Sequence, residues 1–227
     1  MLLNIQQAGN TVDLNPEVAE ETISLFELAL KGGYIMIPLL LFSIVAVYII
    51  IERYVAIKKA NKIEINFMNK IRDFIHSGNI DAARALCKNT VNPIARMMEK
   101  GINRIGKPLN DIEKAIENVG NIEVVKLEKG LSTLATVAGA APMVGFLGTV
   151  MGMIKAFYNM SKAGKQVEIS MLSGGMYEAM VTTVTGLFVG LIALIAYNLL
   201  TAMVQKVIYK METSSIEFMD LLQEPAK

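Results

Sequence analysis

The sequence predicts an all-α integral membrane protein: three transmembrane helices, with a large helical cytoplasmic insertion between the first and the second. Three observations lead there. Of 227 residues, 53% are hydrophobic and only 19% are charged, more apolar surface than an ordinary soluble domain hides in its own core. Three windows, 32–51, 131–154 and 171–204, carry no charge except Glu178 in the last. At about 1.5 Å per residue they reach roughly 30, 36 and 51 Å, against a hydrocarbon core about 30 Å thick. Finally, positive charge is unevenly placed: residues 1–30 hold five acids and no base, whereas 52–129 hold 15 Lys and Arg beside 10 Asp and Glu. The positive-inside rule then puts the N-terminus outside and the long middle segment and the C-terminus inside.

Residues 1–31 form the outer N-terminal segment. Asn15 and Pro16 suit a helix start, and Val18, Thr22, Leu25, Phe26 and Ala29 fall on one face before Gly32 and Gly33, which predicts an amphipathic helix lying on the outer membrane surface. The first residues, "MLLNIQQAGN", lack the basic start and sustained apolar run of a cleaved signal, so none is expected. The first span is 32–51. In the insertion, 52–130, "HSGN" and "TVNP" mark turns, and Asn110 with Glu113 resembles a capping box. Ile112, Ile116 and Val119 follow at helical spacing with no Pro before the second span, so one helix is expected to run from about Asp111 out through the membrane as a stalk. The second span is 131–154. A short outer loop, 155–170, contains Lys155, Lys162 and Lys165, which run against the charge rule. The third span, 171–204, is longer than one crossing needs and is expected to protrude into the cytoplasm, with Tyr197 and Asn198 at its inner interface and 205–227 as a cytoplasmic tail.

Several chemistries lack the residues they need. The 22 Lys and Arg nearly balance the 21 Asp and Glu, so no dense basic surface for nucleic acid is expected. One Cys (Cys87) and one His (His76) allow no disulfide within the chain and no Cys–His metal motif. Cys87 reads as a small buried apolar residue, and His76, at a helix end, as a solvated or capping group. No nucleophile, base and acid set appears, so neither an enzyme nor a cofactor is expected.

What remains lies in the second and third spans. Gly145, Gly148, Thr149 and Gly152 follow one another at i, i+3, i+4 and i+7, a helix face where small side chains let another backbone come close. Pro142 removes the amide that would bond the carbonyl of Ala138, so the span should bend and lean on its neighbours. Gly186 and Gly190 make a GxxxG pair, which serves packing within one subunit as well as packing between subunits. Glu178, Thr182 and Thr185 share a stripe at i, i+4 and i+7, while Thr183 lies about 140° round from Glu178. Counted inward from the span ends, Thr149 and Glu178 sit at similar depth. A carboxylate in lipid is costly, so Glu178 either reaches water at the outer interface or faces a bundle interior or a wet cavity.

"GAAPMVGFLGTVMGMI" followed by "GGMYEAMVTTVTGLFVGLIALIAYN", with three spans, a large inner insertion and a short outer loop, closely resembles the MotA/TolQ/ExbB proton-channel family. "KGGYIMIPLL" extends the likeness to the first span. Three spans make the chain most like an ExbB or TolQ, since flagellar MotA subunits carry a fourth. The resemblance implies a bacterial inner-membrane protein and a cyclic homopentamer around two copies of an ExbD-like or TolR-like single-span partner, whose membrane aspartate carries the proton. It also implies coupling, through a TonB-like protein, to outer-membrane transport, or alternatively a TolQ-like role in envelope maintenance; a non-conducting scaffold would use the same packing. By motif position the family's polar residues near that aspartate fall on Thr149, Glu178 and Thr183, whereas the face count groups Thr182 and Thr185 with Glu178. Together these five form the expected proton pathway, with Gly145, Gly148, Gly152, Gly186, Gly190 and Pro142 as the packing set.

Overall fold

The computed structural model describes residues 32–62, 66–163 and 169–224. The amphipathic helix expected over 15–29, and Lys165 of the outer loop, lie outside the described residues. A short 3-10 turn, Gly33–Ile35, leads into α1 (Met36–Asn61); α2 (Phe67–His76), α3 (Ile80–Asn89), α4 (Pro93–Ile102) and α5 (Leu109–Glu128) follow, then α6 (Leu131–Ala163) and α7 (Ile169–Gln223). Among the described residues no strand occurs. Three segments, Gly33–Asn61, Leu109–Ala163 and Leu172–Gln223, are long and apolar enough to cross a membrane.

Two kinds of helix follow from two kinds of sequence. α1 is apolar around its whole girth, and Leu40, Leu41, Ile44, Val47, Tyr48 and Ile51 are all exposed, which is tolerable only when the surrounding medium is itself apolar. The short helices α2, α3 and α4 are amphipathic and turn one face inward. Their buried Phe67, Ile71, Cys87, Met98 and Ile102 join Ile112 and Ile116 of α5 and Met211 and Phe218 of α7 in one core. The second half of α7 thus closes the helical bundle that its first half connects to the membrane.

Local sequence sets the boundaries. Asn79 caps α3, its side chain accepting from the amide of Ala82 at 3.1 Å. Asn92 caps α4, with Pro93 at the first helical position, where its missing N–H costs nothing. The Asn92 amide also donates to the carbonyls of Ala60, at 2.7 Å, and Lys62, at 3.3 Å, tying the end of α1 to the start of α4. The helical stalk differs from expectation at both ends. Pro108 occupies the N-cap and no side chain caps the helix, so Asn110 lies inside its first turn and forms no capping box. The stalk is also interrupted: Lys129 (φ −51°, ψ 129°) and Gly130 (φ 81°) make a tight turn between α5 and α6. A positive φ of that size is open to glycine at little cost, and it re-aims the chain where α6 begins.

Candidate functional site

α6 and α7 form an antiparallel pair whose backbones nearly touch. Gly152 faces Gly175 and Ala179, Gly145 faces the Thr182 carbonyl and Gly186, and Gly190 faces Pro142. A Cβ added at Gly186 would lie 2.6 Å from the Ala141 oxygen and 2.8 Å from the Gly145 Cα, closer than any real methyl group comes. The glycines of the two spans therefore interlock within one chain. At Pro142, where the ring leaves the Ala138 carbonyl without its usual donor, Gly190 lets α7 close over the irregularity: a Cβ there would stand 2.6 Å from the proline ring and 3.1 Å from the Ala138 oxygen.

This register sets the surroundings of Glu178. Gly152 opposite Ala179 and Gly148 against Thr182 bring Lys155 of α6 beside Glu178, and the Lys155 Nζ donates to Glu178 Oε2 at 2.9 Å. The Glu178 side chain is 25% exposed and that of Lys155 62%, so the pair is wet at one end. Beneath it a cavity of about 400 Å³ opens between the start of α1, α6 and α7, lined among others by Gly32, Tyr34, Gly148, Lys155, Glu178 and Thr182. Between the lining residues Gly32 and Tyr34 stands Gly33 (φ 66°), where any Cβ would run into the Glu178 carboxylate. A glycine there serves two needs at once, the left-handed backbone and the room for the acid.

The threonines part company. Thr182 is buried against Gly148, and its hydroxyl donates to the Ala179 carbonyl at 2.8 Å. Thr183 donates across the pair to the Gly145 carbonyl at 3.0 Å. Thr185 donates back to Val181 at 2.8 Å and does not line the cavity. Thr149, roughly one turn deeper than Glu178, donates to Phe146 at 2.6 Å. The structure thus unites Glu178 and Thr182 in one cavity and uses Thr183 as a bridge between helices. A threonine whose proton is given to a backbone carbonyl keeps oxygen lone pairs that can accept a hydrogen bond.

Lys155 is the residue the sequence reading misses. It weighs there only as a charge on the wrong side, yet it immediately follows the second span and stands where an antiparallel return brings Glu178 alongside. Span depth could not find it: counted from the window ends, Glu178 falls level with Thr149, whereas the glycine register sets it about one turn nearer the outer end, opposite Gly152 and beside Lys155. Elsewhere, His76 pairs with Glu224 at 3.4 Å. Cys87 is buried in the core, where desolvation first and the charge of Glu99 second push its thiol up to about 12. Among the described residues no group of three His, Cys, Asp or Glu is placed to hold a metal ion.

Comparison with known proteins agrees with this architecture. Residues 89–213, which take in α5, α6 and most of α7, match the MotA/TolQ/ExbB proton channel family. The chain is 29% identical over 170 residues to a putative biopolymer transport protein ExbB-like 3 of Synechocystis, covering 74% of this chain and 81% of that one. It is 28% identical over 201 residues to the Tol-Pal system protein TolQ of Haemophilus influenzae, covering 82% and 87%. A biopolymer transport protein ExbB of Xanthomonas campestris is 34% identical over 109 residues, covering 48% and 43%. With more than half of its length, the interlocked glycines and Glu178 included, matched to the family, and three helices long and apolar enough to span a membrane, the chain belongs to the MotA/TolQ/ExbB proton channel family.

Proposed function

We propose that the chain is one subunit of a proton-driven motor in a bacterial inner membrane, a cyclic homopentamer around a dimer of an ExbD-like single-span protein. Proton flow through it energises a TonB-like protein that acts on outer-membrane transport. In this reading the N-terminus is periplasmic, the 52–130 insertion and the C-terminus are cytoplasmic, and α6 and α7 carry the proton pathway. One observation bears most of the weight: the carboxylate within the third apolar helix, Glu178, opens on a cavity and is held by Lys155 at 2.9 Å rather than facing lipid.

The chemistry follows from that pair. A proton arriving on Glu178 removes its negative charge and so its attraction for Lys155; the ammonium, already more than half exposed, swings to solvent. Loss of the proton restores the pair. Thr182 below, with Thr183 and Thr149 about a turn away, offers oxygens along which water continues the path. No other carboxylate lies within the apolar windows of this sequence, so the next acceptor inward comes from the partner.

Proton flux is measured with a pH dye in vesicles containing the chain and its single-span partner. Glu178→Gln should abolish partner-dependent flux and leave the oligomer intact, since removing a membrane carboxylate relieves an insertion penalty. Glu178→Asp should keep part of the flux. Full flux in Glu178→Gln would remove Glu178 from the pathway, and vesicles in which no variant and no wild type conducts would favour a scaffold. A second reading, a TolQ-like subunit of envelope maintenance, is favoured by the TolQ relative matching 82% of the chain. Mass spectrometry of the single-span protein that co-purifies separates the two.

A further inference from the structure

We propose that the chain carries a binding site for the phosphate headgroup of an anionic phospholipid at the inner end of α1, where α4 and α5 meet it. A cavity of about 390 Å³ there is lined by five cations, Arg53 and Lys59 of α1, Arg96 of α4, and Lys126 and Lys129 at the end of α5, with Glu123 as the one carboxylate. Three separate elements converge on it, and the chain holds them in place. Asn92, buried, ties α1 to α4 through the Ala60 and Lys62 carbonyls, and the Arg53 Nη1 donates to the Lys126 carbonyl at 3.0 Å.

Glu123 is already spent. It accepts from Arg96 at 2.7 Å and from Lys126 at 2.7 Å, which fixes two cations at the cavity wall and leaves nothing for Lys59 and Lys129. Arg53 pairs with its neighbour Glu52, which does not line the cavity. Lys59 and Lys129 have no carboxylate within ion-pair distance among the described residues. The site therefore has a surplus of positive charge whose donors are partly preset. An anion with several oxygens suits it: Arg and Lys donors in fixed positions match phosphate.

Depth selects a lipid as the source of that phosphate. Arg53 lies two residues beyond the apolar window ending at Ile51, and Lys129 two residues before Leu131. Two residues span about 3 Å in a helix, and the headgroup layer of each leaflet is about 5–8 Å thick, so Arg53 and Lys129 stand at headgroup level, while Lys59, eight residues or about 12 Å past Ile51, lines the cavity from its water side. Val91, exposed, and Leu127 line the same cavity and give the glycerol end an apolar contact. Basic pockets of this kind beside membrane helices bind anionic headgroups. The inference rests on the three spans alone and is independent of the proton pathway.

The test uses the full-length oligomer in mild detergent, titrated with phosphatidylglycerol or phosphatidylcholine and read by native mass spectrometry. Wild type should prefer phosphatidylglycerol. Lys59→Gln with Lys129→Gln should weaken phosphatidylglycerol binding about thirty-fold, at roughly five-fold per lysine near an anionic headgroup, and leave phosphatidylcholine unchanged. Lys59→Arg with Lys129→Arg should retain binding, as should the control Lys107→Gln with Lys114→Gln, placed outside the cavity. Equal binding of the two lipids by wild type, or an unchanged affinity in the double Gln variant, would overturn the site. Competition by soluble glycerol phosphate at the concentrations where phosphatidylglycerol binds would overturn the lipid source and leave a site for a free phosphate.

Discussion

Between Gly148 and Thr182 there is no room for a single carbon. A Cβ at Gly148 would overlap the Thr182 hydroxyl and stand 2.6 Å from its Cβ, and Thr182 is itself buried, so the strain cannot be relieved by turning a side chain into solvent. Gly148→Ala should cost about 1–3 kcal/mol by overpacking. Thr182→Ala removes the hydroxyl and the methyl but leaves its own Cβ at 2.6 Å, so the double variant should recover only part of that loss, with a coupling of about 0.5–3 kcal/mol. Thermal melts of the four proteins in detergent measure it, and simple additivity would mean that the two residues do not meet. Cys87 gives a second prediction. Unfolded, the thiol ionises near 9.0; folded, near 12. Above pH 9 the unfolded state therefore gains by losing a proton that the folded state keeps, so stability is unaffected below about pH 9 and falls as pH rises from 9 to 12. In the same vein, a maleimide should label Cys87 at pH 8 only after denaturation, because the thiolate is the nucleophile. Rapid labelling of folded protein would refute its burial. What the sequence told of these residues was uneven. Glu178 stood out because it is the one charge in an apolar window, whereas its partner Lys155 depends on the register of two helices, which only the glycine contacts fix.

At the scale of elements, the turn at Lys129–Gly130 and the junction around Glu123 are the places where sequence reasoning and structure part. No proline separates α5 from α6, so periodicity alone reads a single stalk. A glycine directly after Lys129 is nevertheless the usual signal of a helix C-terminus, and Pro108 marks the start of α5 better than Asn110 does. Gly130→Ala should cost about 1 kcal/mol through its positive φ, because its Cβ would meet only Ile49 at an ordinary 3.5 Å. Gly130→Asn should cost less, since Asn tolerates that backbone. Equal melting temperatures for the wild type and both variants would show that the turn is not held. At the junction, burial pushes the Glu123 carboxyl up, but hydrogen bonds from Lys126 and Arg96 and their charges outweigh it and hold it below the usual carboxylate range. Its contribution is thus complete above that range and lost as pH falls through the lowered value. Glu123→Gln, which weakens two charge-assisted hydrogen bonds, should destabilise the bundle by about 1–3 kcal/mol at neutral pH. An unchanged melt would show those bonds to be replaceable by water.

The whole molecule turns its glycines inward and leaves bulk outside. Gly145, Gly148, Gly152, Gly186 and Gly190 are consumed by the α6–α7 pair, while Met143, Phe146, Leu147 and Val150 of α6 and Val184, Leu187, Phe188 and Leu191 of α7 are exposed. From sequence, the glycine faces were equally suited to joining subunits; the contact geometry assigns them to the single chain, so in the proposed ring contacts between subunits would fall to the larger side chains. The purified chain is expected to run as a cyclic pentamer in native mass spectrometry, closure being the way one repeated interface is satisfied. A monomer or dimer alone in mild detergent would count against the ring. Architecture was the most legible level, since lipid demands long apolar windows and these are visible in any count. The length of α7 was not, because nothing in the 205–223 composition separates an independent tail from a continuation. That length has a mechanical meaning. α7 runs unbroken from Ile169 to Gln223, with neither Gly nor Pro after Gly190 within it, and kinks need one or the other or an inserted group. Leu191 and Phe218 therefore ride on one rigid shaft about 40 Å apart, and a tilt of ~5° at its membrane end swings the far end through about 3.5 Å. Phe218, wedged against Gly101, makes the helical bundle the load on that lever: a small movement at Leu191 arrives at the bundle enlarged, with neither glycine nor proline in between to absorb it.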